Sequence, residues 1–209
     1  MSSRLDAEVI RRALGDCTIG REISVLEETT STNDAVLQRA TPTTPEGLVV
    51  FAEHQTAGRG QRTNRWESAA HKGLWFSILL RPKIDISQSP RLTAWVLDAI
   101  AKMLNEQFSM AATIKAPNDI QIDGRKVAGV LVEMRAQPDA RHIAIVGIGI
   151  NLNHAAEDFS PKLRPCAISL AMALNRKIDR QQFAVTLLRN LERTYSALFS
   201  SAPRGASSG

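Results

Sequence analysis

A short loop at residues 54–66 combines residue types that bind anions. Its sequence, HQTAGRGQRTNRW, contains two glycines and three arginines: Gly58, Gly60, Arg59, Arg62 and Arg65. Glycine adopts backbone angles that are closed to other residues, so such a loop can turn tightly and direct amide groups at a ligand oxygen. Arginine adds planar donor groups that suit carboxylate and phosphate. The loop therefore predicts an anion site, and a solvated basic turn is the alternative.

Two further segments place polar or small residues beside regular elements. Residues 30–34, TSTND, precede an apolar helical pattern and have the residue types of a helix N-cap. Residues 142–146 are typical of a buried strand, which leads into the sequence GIGIN at residues 147–151. In isolation, the glycines of GIGIN indicate a bulge or close strand packing.

The sequence around Asp123-Gly124 predicts a hairpin. This dipeptide lies between apolar runs, an arrangement typical of a tight turn between paired strands. Three polar residues then precede the first strand, and two residues begin the second strand. In chain order, the five residues are Lys115, Asn118, Asp119, Lys126 and Gly129.

In this order and spacing, the segments closely resemble the catalytic domain of biotin protein ligases. The motifs that carry the resemblance are STN at 31–33, QTAGRG at 55–60 with a tryptophan at 66, KAPND at 115–119, GRKVAGVLVE at 124–133 and GIGIN at 147–151. The resemblance runs from about residue 29 to about residue 153 and continues weakly to about residue 199. Each motif alone is weak, and their shared order is what makes the resemblance specific.

The resemblance implies a two-step reaction. MgATP activates the carboxylate of biotin to give biotinyl-5'-adenylate and pyrophosphate, and the adenylate then passes biotin to one lysine of a biotin carboxyl carrier protein as an amide. ATP and Mg²⁺ are therefore the expected cofactors, biotin is the expected small substrate, and a carrier domain is the expected partner.

The resemblance also assigns roles to individual residues. Positions that match contacts to the ureido ring, the carboxylate and the tail of biotin are Ser31, Thr32, Gln55, Gly58, Arg59, Gly60, Lys126 and Gly129. Positions that match contacts to ATP or the adenylate are Arg62, Trp66, Lys115, Asn118 and Asn151. Lys126, Arg59 and Asp119 match the residues closest to the chemistry, and the Asp119 carboxylate is an oxygen ligand of the kind that Mg²⁺ favours.

Each role has a simpler alternative on the residues alone. Lys126 suits a solvated position beside a turn, and Asp119 after Pro117-Asn118 suits a turn cap. Trp66 suits an ordinary core position. For the simpler alternatives to hold, all of these residues would have to match the family's motifs, in the family's order, by chance.

Two residues depart from the commonest family pattern. Gln61 stands where many members have the second arginine of GRGR, so a charge that helps to retain the adenylate is replaced by a neutral amide. Ala116 stands where the family usually has tryptophan, and the lost bulk leaves a space or a softer pocket wall. The first departure leads to the hypothesis of a leakier adenylate.

The composition of the chain is consistent with this interpretation but would not by itself indicate a ligase. A chain of 209 residues with 44% hydrophobic and 22% charged residues fits a globular protein with a sizeable core. The formal charge of +5 comes from dispersed residues, so we expect no DNA binding. Two cysteines and four histidines show no spacing typical of metal ligands. Without an apolar run of membrane length or a signal peptide, we expect a cytoplasmic protein.

The pattern of elements predicts an α+β fold, with one mixed sheet that carries helices on a face, like that shared by class II aminoacyl-tRNA synthetases and biotin ligases. Helices are expected near residues 5–14, 33–39, 90–108, 169–174 and 180–198, and strands near 23–26, 48–52 and 74–80 besides the hairpin and residues 142–146. We expect residues 1–200 to form the catalytic domain and residues 201–209 to form a flexible tail.

The ends of the chain and the open alternatives complete the prediction. Because few residues precede the STN motif, we expect no helix-turn-helix domain of the kind that some relatives carry. The region after GIGIN has a helical pattern, so we also expect no C-terminal SH3-like domain. Sequence leaves open whether the chain forms a homodimer. The alternative functions are a lipoate or octanoate ligase of the same superfamily and a biotin-binding protein that does not transfer its ligand.

Overall fold

The computed structural model describes residues 4–62, 64–137 and 142–200, which build one seven-stranded mixed sheet. The strands are β1 (Glu22–Thr29), β2 (Leu48–Gln55), β3 (Leu74–Leu80), β4 (Thr113–Lys115), β5 (Asp119–Ile122), β6 (Arg125–Arg135) and β7 (Ile143–Ile150). Their spatial order is β1-β2-β3-β7-β6-β5-β4. Only the β1–β2 pair is parallel, and the other five pairs are antiparallel. The predicted α+β class with a mixed sheet is confirmed.

Helices cover both faces of the sheet, unequally. They are α1 (Ala7–Leu14), α2 (Thr32–Arg39), α3 (Ser89–Phe108), α4 (Leu170–Leu174) and α5 (Arg180–Tyr195). Val49 and Val50 are adjacent in β2 and therefore point to opposite faces. Val49 belongs to the large core under α3 and α5, whereas Val50 packs with Val36 of α2 in a smaller cluster. The face that carries α2 is thus the less covered one.

Most predicted elements are confirmed, and the differences lie at their ends. β7 continues to Ile150, so the glycines of GIGIN lie inside a strand. The short strand β4 was not predicted, and α5 ends at Tyr195, where a π-helical turn (Ser196–Ser200) follows. The predicted tail at residues 201–209 lies outside the described residues. No helix in the described part of the chain is long and apolar enough to cross a membrane.

A buried ion pair joins α5 to the sheet. Glu53 of β2 and Arg180 of α5 are 1% and 5% exposed, and Arg180 Nη2 donates to Glu53 Oε2 over 2.7 Å. The Leu5 amide donates to the other oxygen of Glu53 over 2.7 Å, and His71 Nδ1 lies 3.1 Å from Oε2. One carboxylate therefore holds the N-terminal segment, α5 and the turn before β3 together.

Candidate functional site

A row of four residues crosses the less covered face of the sheet and forms a trough. Asp119 pairs with Gly129, Gly129 pairs with Gly149, and Gly149 pairs with Trp75, across β5, β6, β7 and β3. Residues that pair directly across strands point to the same face. The two central positions have no side chain, so the sheet backbone forms the floor between Asp119 at one end and Trp75 at the other.

The indole of Trp66 lies on this floor. A Cβ atom at Gly149 would be 2.7 Å from two indole carbons, and one at Gly129 would be 2.9 Å from another. The indole also meets the edge of Trp75, with 5.7 Å between ring centroids. Any side chain at either glycine would therefore displace Trp66, which explains why glycine is needed at both positions.

The glycine and arginine loop folds back on itself next to the trough. The Trp66 amide donates to Gly58 O over 2.9 Å, and the Gly60 amide donates to Asn64 O over 2.8 Å. The prediction that Gly58 and Gly60 adopt angles closed to other residues is wrong, because the positive φ among the described residues of this loop belongs to Arg62, at 60°. Gly58 is needed for close approach instead, since a Cβ there would lie 2.7 Å from Trp66 O.

The Arg59 guanidinium lies between two carboxylates. Nη1 donates to Asp34 Oδ2 over 2.5 Å, and Nη2 donates to Glu133 Oε2 over 2.9 Å. The hydrogen bond to Asp34, followed by that to Glu133, raises the pKa of Arg59 above its ordinary value, although partial burial opposes the shift. Arg59 therefore stays charged, and its planar donor group faces anions supplied by the protein.

Lys126 lies at the Asp119 end of the trough. Its Nζ is 2.7 Å from Asp119 Oδ1 and 5.0 Å from the centroid of the Trp66 ring. Both side chains of the ion pair are partly exposed, so a ligand can reach them. The lysine backbone is fixed as well, because its amide donates to Cys166 O over 2.8 Å and its carbonyl accepts from the Ile168 amide over 2.9 Å.

Polar side chains close the other end of the site, at the start of α2. Ser31 is the N-cap residue, but its hydroxyl makes no capping hydrogen bond. The Thr32 amide donates to Gln55 Oε1 over 2.8 Å, and Gln55 Nε2 donates to Ser68 Oγ over 3.3 Å. Gln55 is thus held from both sides, and its second amide hydrogen is available to a ligand acceptor.

A small cavity of about 40 Å³ joins these groups. The predicted site residues that line it are Ser31, Thr32, Gln55, Arg59, Gly60, Trp66, Asn118, Lys126 and Gly129. Sequence reasoning did not select Asn33, Gly147 and Gly149, which also line it. The two glycines of the GIGIN motif could have pointed to Gly147 and Gly149 as site residues, but the same pattern is also typical of close strand packing.

The five remaining predicted residues lie outside the cavity wall, and one of them is Asp119, at the end of the trough. Gly58 supports the loop, Arg62 lies within the loop at positive φ, and Lys115 is exposed at the end of β4, opposite Asp119. Asn151 is buried, and its amide group donates to Ile168 O over 3.2 Å and to Lys126 O over 3.5 Å. In this structure Asn151 therefore supports the segment beneath Lys126, and its predicted contact with the adenylate stays a prediction.

The donor set suits a metal that arrives with a nucleotide. Among the described residues, no group of three or more His, Cys, Asp or Glu side chains could hold a metal ion. Mg²⁺ is commonly held by one or two carboxylates together with substrate phosphates, and Asp119 supplies one carboxylate beside the cationic end of the trough. Asp119 could thus contribute one ligand to Mg²⁺ that is bound to a nucleotide, but it does not belong to a metal site formed by protein side chains alone.

A buried histidine supports the Trp75 end of the trough. His154 is 2% exposed, stacks on Phe159 with 4.9 Å between ring centroids, and meets Trp75 edge-on at 5.6 Å. Burial lowers the pKa of His154 from 6.5 to about 4, with Lys72 and Arg180 adding to the effect and Asp158 opposing it. The ring is therefore neutral at pH 7.

Comparison with known proteins agrees with this geometry. The model of the biotin/lipoate A/B protein ligase family matches residues 25–151. The bifunctional ligase/repressor BirA of Bacillus subtilis is 36% identical over 192 residues, which cover 92% of this chain and 59% of the relative. The biotin–acetyl-CoA-carboxylase ligase of Mycobacterium tuberculosis is 33% identical, covering 90% of this chain and 71% of the relative.

Solved structures show the same fold. The biotin protein ligase from Aquifex aeolicus in complex with biotin and ATP is 28% identical, with a TM-score of 0.71 over 87% of this chain and 73% of that chain. The biotin protein ligase from Leishmania major in complex with biotinyl-5-AMP is 22% identical and has a TM-score of 0.69. The family match, the relatives and the sheet topology lead to one conclusion: this chain belongs to the biotin/lipoate A/B protein ligase family.

Proposed function

We propose that this protein is a biotin protein ligase, which activates biotin with ATP and transfers it to a lysine of a biotin carboxyl carrier protein. The observation that carries the proposal is the division of the site into two ends. Thr32 and Gln55 present neutral polar groups at the start of α2, and Lys126 presents a cation at the Asp119 end of the trough. Arg59, which is held by Asp34 and Glu133, adds a second cation to the cavity wall. A ureido ring at the first end and a carboxylate at the second would match biotin. The names of the relatives from Bacillus and Mycobacterium point the same way.

In the first proposed step, a carboxylate oxygen of biotin attacks the α-phosphorus of ATP. A new phosphorus–oxygen bond forms, the bond to the β-phosphate oxygen breaks, and pyrophosphate leaves. Arg59 and Lys126 hold the negative oxygens as charge develops on the transferred phosphoryl group. Ser31, Thr32 and Gln55 fix the ring, so the carboxylate keeps one position.

In the second proposed step, the neutral amine of a carrier lysine attacks the acyl carbon of the adenylate. The carbon–nitrogen bond forms, the bond to the phosphate oxygen breaks, the attacking nitrogen loses one proton to solvent, and AMP leaves with its negative charge near Lys126. No side chain of the protein becomes covalently attached to biotin. The carrier therefore has to approach the open side of the trough, close to the partly exposed Lys126–Asp119 pair.

Ligand binding requires side chains to move. Pockets for small molecules have volumes of roughly 300 Å³ or more, whereas the cavity here has about 40 Å³. Trp66 lies on the trough floor, and the Asp34 and Glu133 carboxylates occupy the donor groups of Arg59. We propose that the ligand displaces the indole and that its carboxylate or phosphate exchanges with these internal partners.

The nucleotide contacts belong to the proposal as well. We assign the adenine and phosphates to the region of Trp66, Asn118 and Asp119, where the Asp119 carboxylate would face nucleotide-bound Mg²⁺. Three predicted adenylate contacts remain predictions, namely Arg62, Lys115 and Asn151. They lie outside the cavity wall, so they could contact the adenylate only if their side chains moved or if the ligand extended beyond the cavity. Mg²⁺ would neutralise phosphate charge when bound, and Asp119 would orient it.

A lipoate or octanoate ligase is the second candidate within this family. Such a ligand offers no group for the amide of Gln55 or the hydroxyl of Thr32, and burying these groups unpaired would cost free energy. A biotin-binding protein without transfer is the third candidate, but it would have no need for the Lys126–Asp119 pair beside the trough. Both observations favour the biotin ligase.

Mass spectrometry of a carrier domain tests the proposal. The carrier is incubated with this protein, biotin, MgATP and pyrophosphatase, and a parallel sample contains lipoate. We expect a biotin-sized mass increment on one carrier lysine and none with lipoate. Biotin-dependent pyrophosphate release without an increment would mean that the carrier is mismatched. Silence in both assays would contradict the ligase and favour the binding protein.

A lysine pair provides the matched control. Lys126→Ala should abolish pyrophosphate release, because the cation beside the α-phosphate is lost. Lys102→Ala removes an exposed lysine of α3 that pairs with Glu106 over 3.7 Å, and should leave the rate unchanged. Full activity of Lys126→Ala would show that the lysine is assigned wrongly.

The remaining parts of the proposal concern the surroundings of the protein. We propose that it acts in the cytoplasm, where ATP is available, that residues 1–200 are its catalytic domain, and that it binds no DNA. Homodimer formation stays a prediction, which sedimentation at several concentrations with and without biotin would test.

A further inference from the structure

The two carboxylates that hold Arg59 differ in how firmly they are fixed. Arg59 Nη2 donates to Glu133 Oε2 over 2.9 Å, and Nη1 donates to Asp34 Oδ2 over 2.5 Å. The side chains of Glu133 and Asp34 are 27% and 34% exposed, so exposure does not distinguish them. The difference lies in the other contacts of each carboxylate.

Glu133 is anchored from inside the protein. Asn33, which is 3% exposed, donates through Nδ2 to Glu133 Oε2 over 2.6 Å. A carboxylate can only accept, so the amide of Asn33 must direct its oxygen the other way. There, Asn33 Oδ1 accepts from the buried hydroxyl of Ser77 over 2.5 Å. A Cβ at Gly147 would lie 2.3 Å from Asn33 Oδ1, so the missing side chain leaves the space that Asn33 occupies. Movement of Glu133 would therefore leave a buried amide without its acceptor.

Asp34 has no comparable anchor. Within the described residues, its carboxylate is hydrogen-bonded to Arg59 alone. Asp34 lies in the first turn of α2, where the helix dipole stabilises a negative charge. Because the side chain is also partly exposed, the carboxylate can leave Arg59 and remain in a favourable, hydrated position.

An anion that arrives at Arg59 should displace one of these partners. The guanidinium carries one positive charge and already contacts two negative ones. A third carboxylate within hydrogen-bonding distance would add repulsion between neighbouring like charges. Since Glu133 is anchored and Asp34 is not, the exchange should occur at Asp34.

We propose that Asp34 is an internal competitor for the ligand anion at Arg59, and that Glu133, fixed by Asn33, is the positioning residue that keeps the guanidinium in place during the exchange. The carboxylate of biotin then takes the position at Nη1 that Asp34 leaves. After transfer, the carboxylate has become a neutral amide and AMP departs, so Asp34 can return to Arg59 and favour product release. This inference rests on the proposed function and adds to it a residue that sets the affinity for biotin without contacting biotin.

Calorimetry with a charged and a neutral ligand tests the role of Asp34. Asp34→Asn keeps the shape of the side chain and removes its charge, so the Kd for biotin should fall about fivefold, the effect of one partly exposed ion pair. The Kd for biotin methyl ester, which has no carboxylate, should be the same in the parent and the variant. An unchanged Kd for biotin, or an equal fall for biotin and its ester, would overturn the inference.

Glu133→Gln makes the same chemical change at the anchored partner and should have the opposite effect. Charge-assisted hydrogen bonds are about twice as strong as neutral ones, so a neutral amide would hold the guanidinium less firmly. We expect the Kd for biotin to rise at least about fivefold. If net charge alone governed affinity, both variants would bind biotin more tightly, and a fall in Kd for Glu133→Gln would overturn the anchoring role.

Two controls establish that Asp34 acts through Arg59. In an Arg59→Gln background, Asp34→Asn should have no further effect on the Kd for biotin, because the cation for which the anions compete is gone. The same fall in both backgrounds would overturn the inference. Glu106→Gln removes an exposed carboxylate of α3 that lies 3.7 Å from Lys102 Nζ, and should leave the Kd unchanged. If Glu133→Gln does not fold, Asp34→Asn in the two backgrounds decides the question.

The outcomes distinguish two failures. Absence of biotin binding by the parent protein would overturn the proposed function itself. Biotin binding by the parent, with an unchanged Kd in Asp34→Asn, would overturn only the competition between Asp34 and the ligand.

Discussion

The buried histidine behind the trough should make the stability of the protein sensitive to mild acid. His154 has its pKa lowered from 6.5 to about 4 by burial. The unfolded chain therefore binds the proton at a higher pH than the folded protein does. The stabilising contribution is complete above about pH 6.5, falls as the pH decreases toward 4, and is lost below that value.

The magnitude follows from the size of the shift. A difference between 6.5 and about 4, at about 1.4 kcal/mol per pKa unit, corresponds to a loss of about 3 kcal/mol in the free energy of unfolding. Most of this loss should occur by about pH 4.5. For a domain whose total stability is about 5–15 kcal/mol, the effect is large.

His154→Phe is the informative variant. Phenylalanine keeps an aromatic ring that can stack on Phe159 and meet the edge of Trp75, but it has no proton to bind. We expect the free energy of unfolding by urea to fall between about pH 7.5 and about pH 4.5 by about 2–3 kcal/mol less in His154→Phe than in the parent. Other titrating groups are common to both proteins and cancel, apart from a small contribution from Asp158, whose pKa His154 helps to lower. Equal losses in the two proteins would refute the reasoning.

Three further changes should affect the site or its support. Gly147→Ala would place a Cβ 2.3 Å from Asn33 Oδ1, so the biotin Kd measured by calorimetry should rise about tenfold or more through loss of the Asn33–Ser77 contact, and an unchanged Kd would contradict this. Glu53→Gln removes the buried charge that pairs with Arg180, and should lower the free energy of unfolding by about 3 kcal/mol or more, whereas an effect below about 1 kcal/mol would show that the pair contributes little. Gln61→Arg restores the charge missing from the loop and should slow the release of biotinyl-adenylate; equal release rates would disprove the hypothesis of a leakier adenylate.

The sequence predicted those features that depend on neighbouring residues. An N-cap within residues 30–34 and the hairpin at Asp123-Gly124 follow from local residue preferences, and both are present. The cap residue is Ser31, although its side chain makes no capping hydrogen bond, and Asp123 and Gly124 have positive φ. The family motifs also brought nine predicted residues to one cavity. Strand β4 escaped prediction because all three of its residues are exposed and carry no alternating pattern.

The hydrogen-bond network of the site could not be read from the chain. Ser77 is 44 residues from Asn33, and Asn33 is 100 residues from Glu133, so their contacts exist only after the sheet has formed. The glycines of the loop show a related limit. Their presence was informative, but the reason for Gly58 is a close backbone approach to Trp66, which residue type alone cannot distinguish from an unusual φ.

The trough is formed by missing side chains on paired strands, and this has a consequence for hydrogen exchange. Gly129 and Gly149 pair within the β6–β7 ladder, which lies inside the sheet between β3 and β5. Amides in such a ladder exchange with solvent when the whole domain unfolds, whereas amides in loops exchange through local opening. The strand amides beneath a ligand would thus report its full contribution to global stability, and the amides of the glycine and arginine loop would report only the ordering of that loop. One deuterium-exchange experiment could therefore separate the two contributions to affinity.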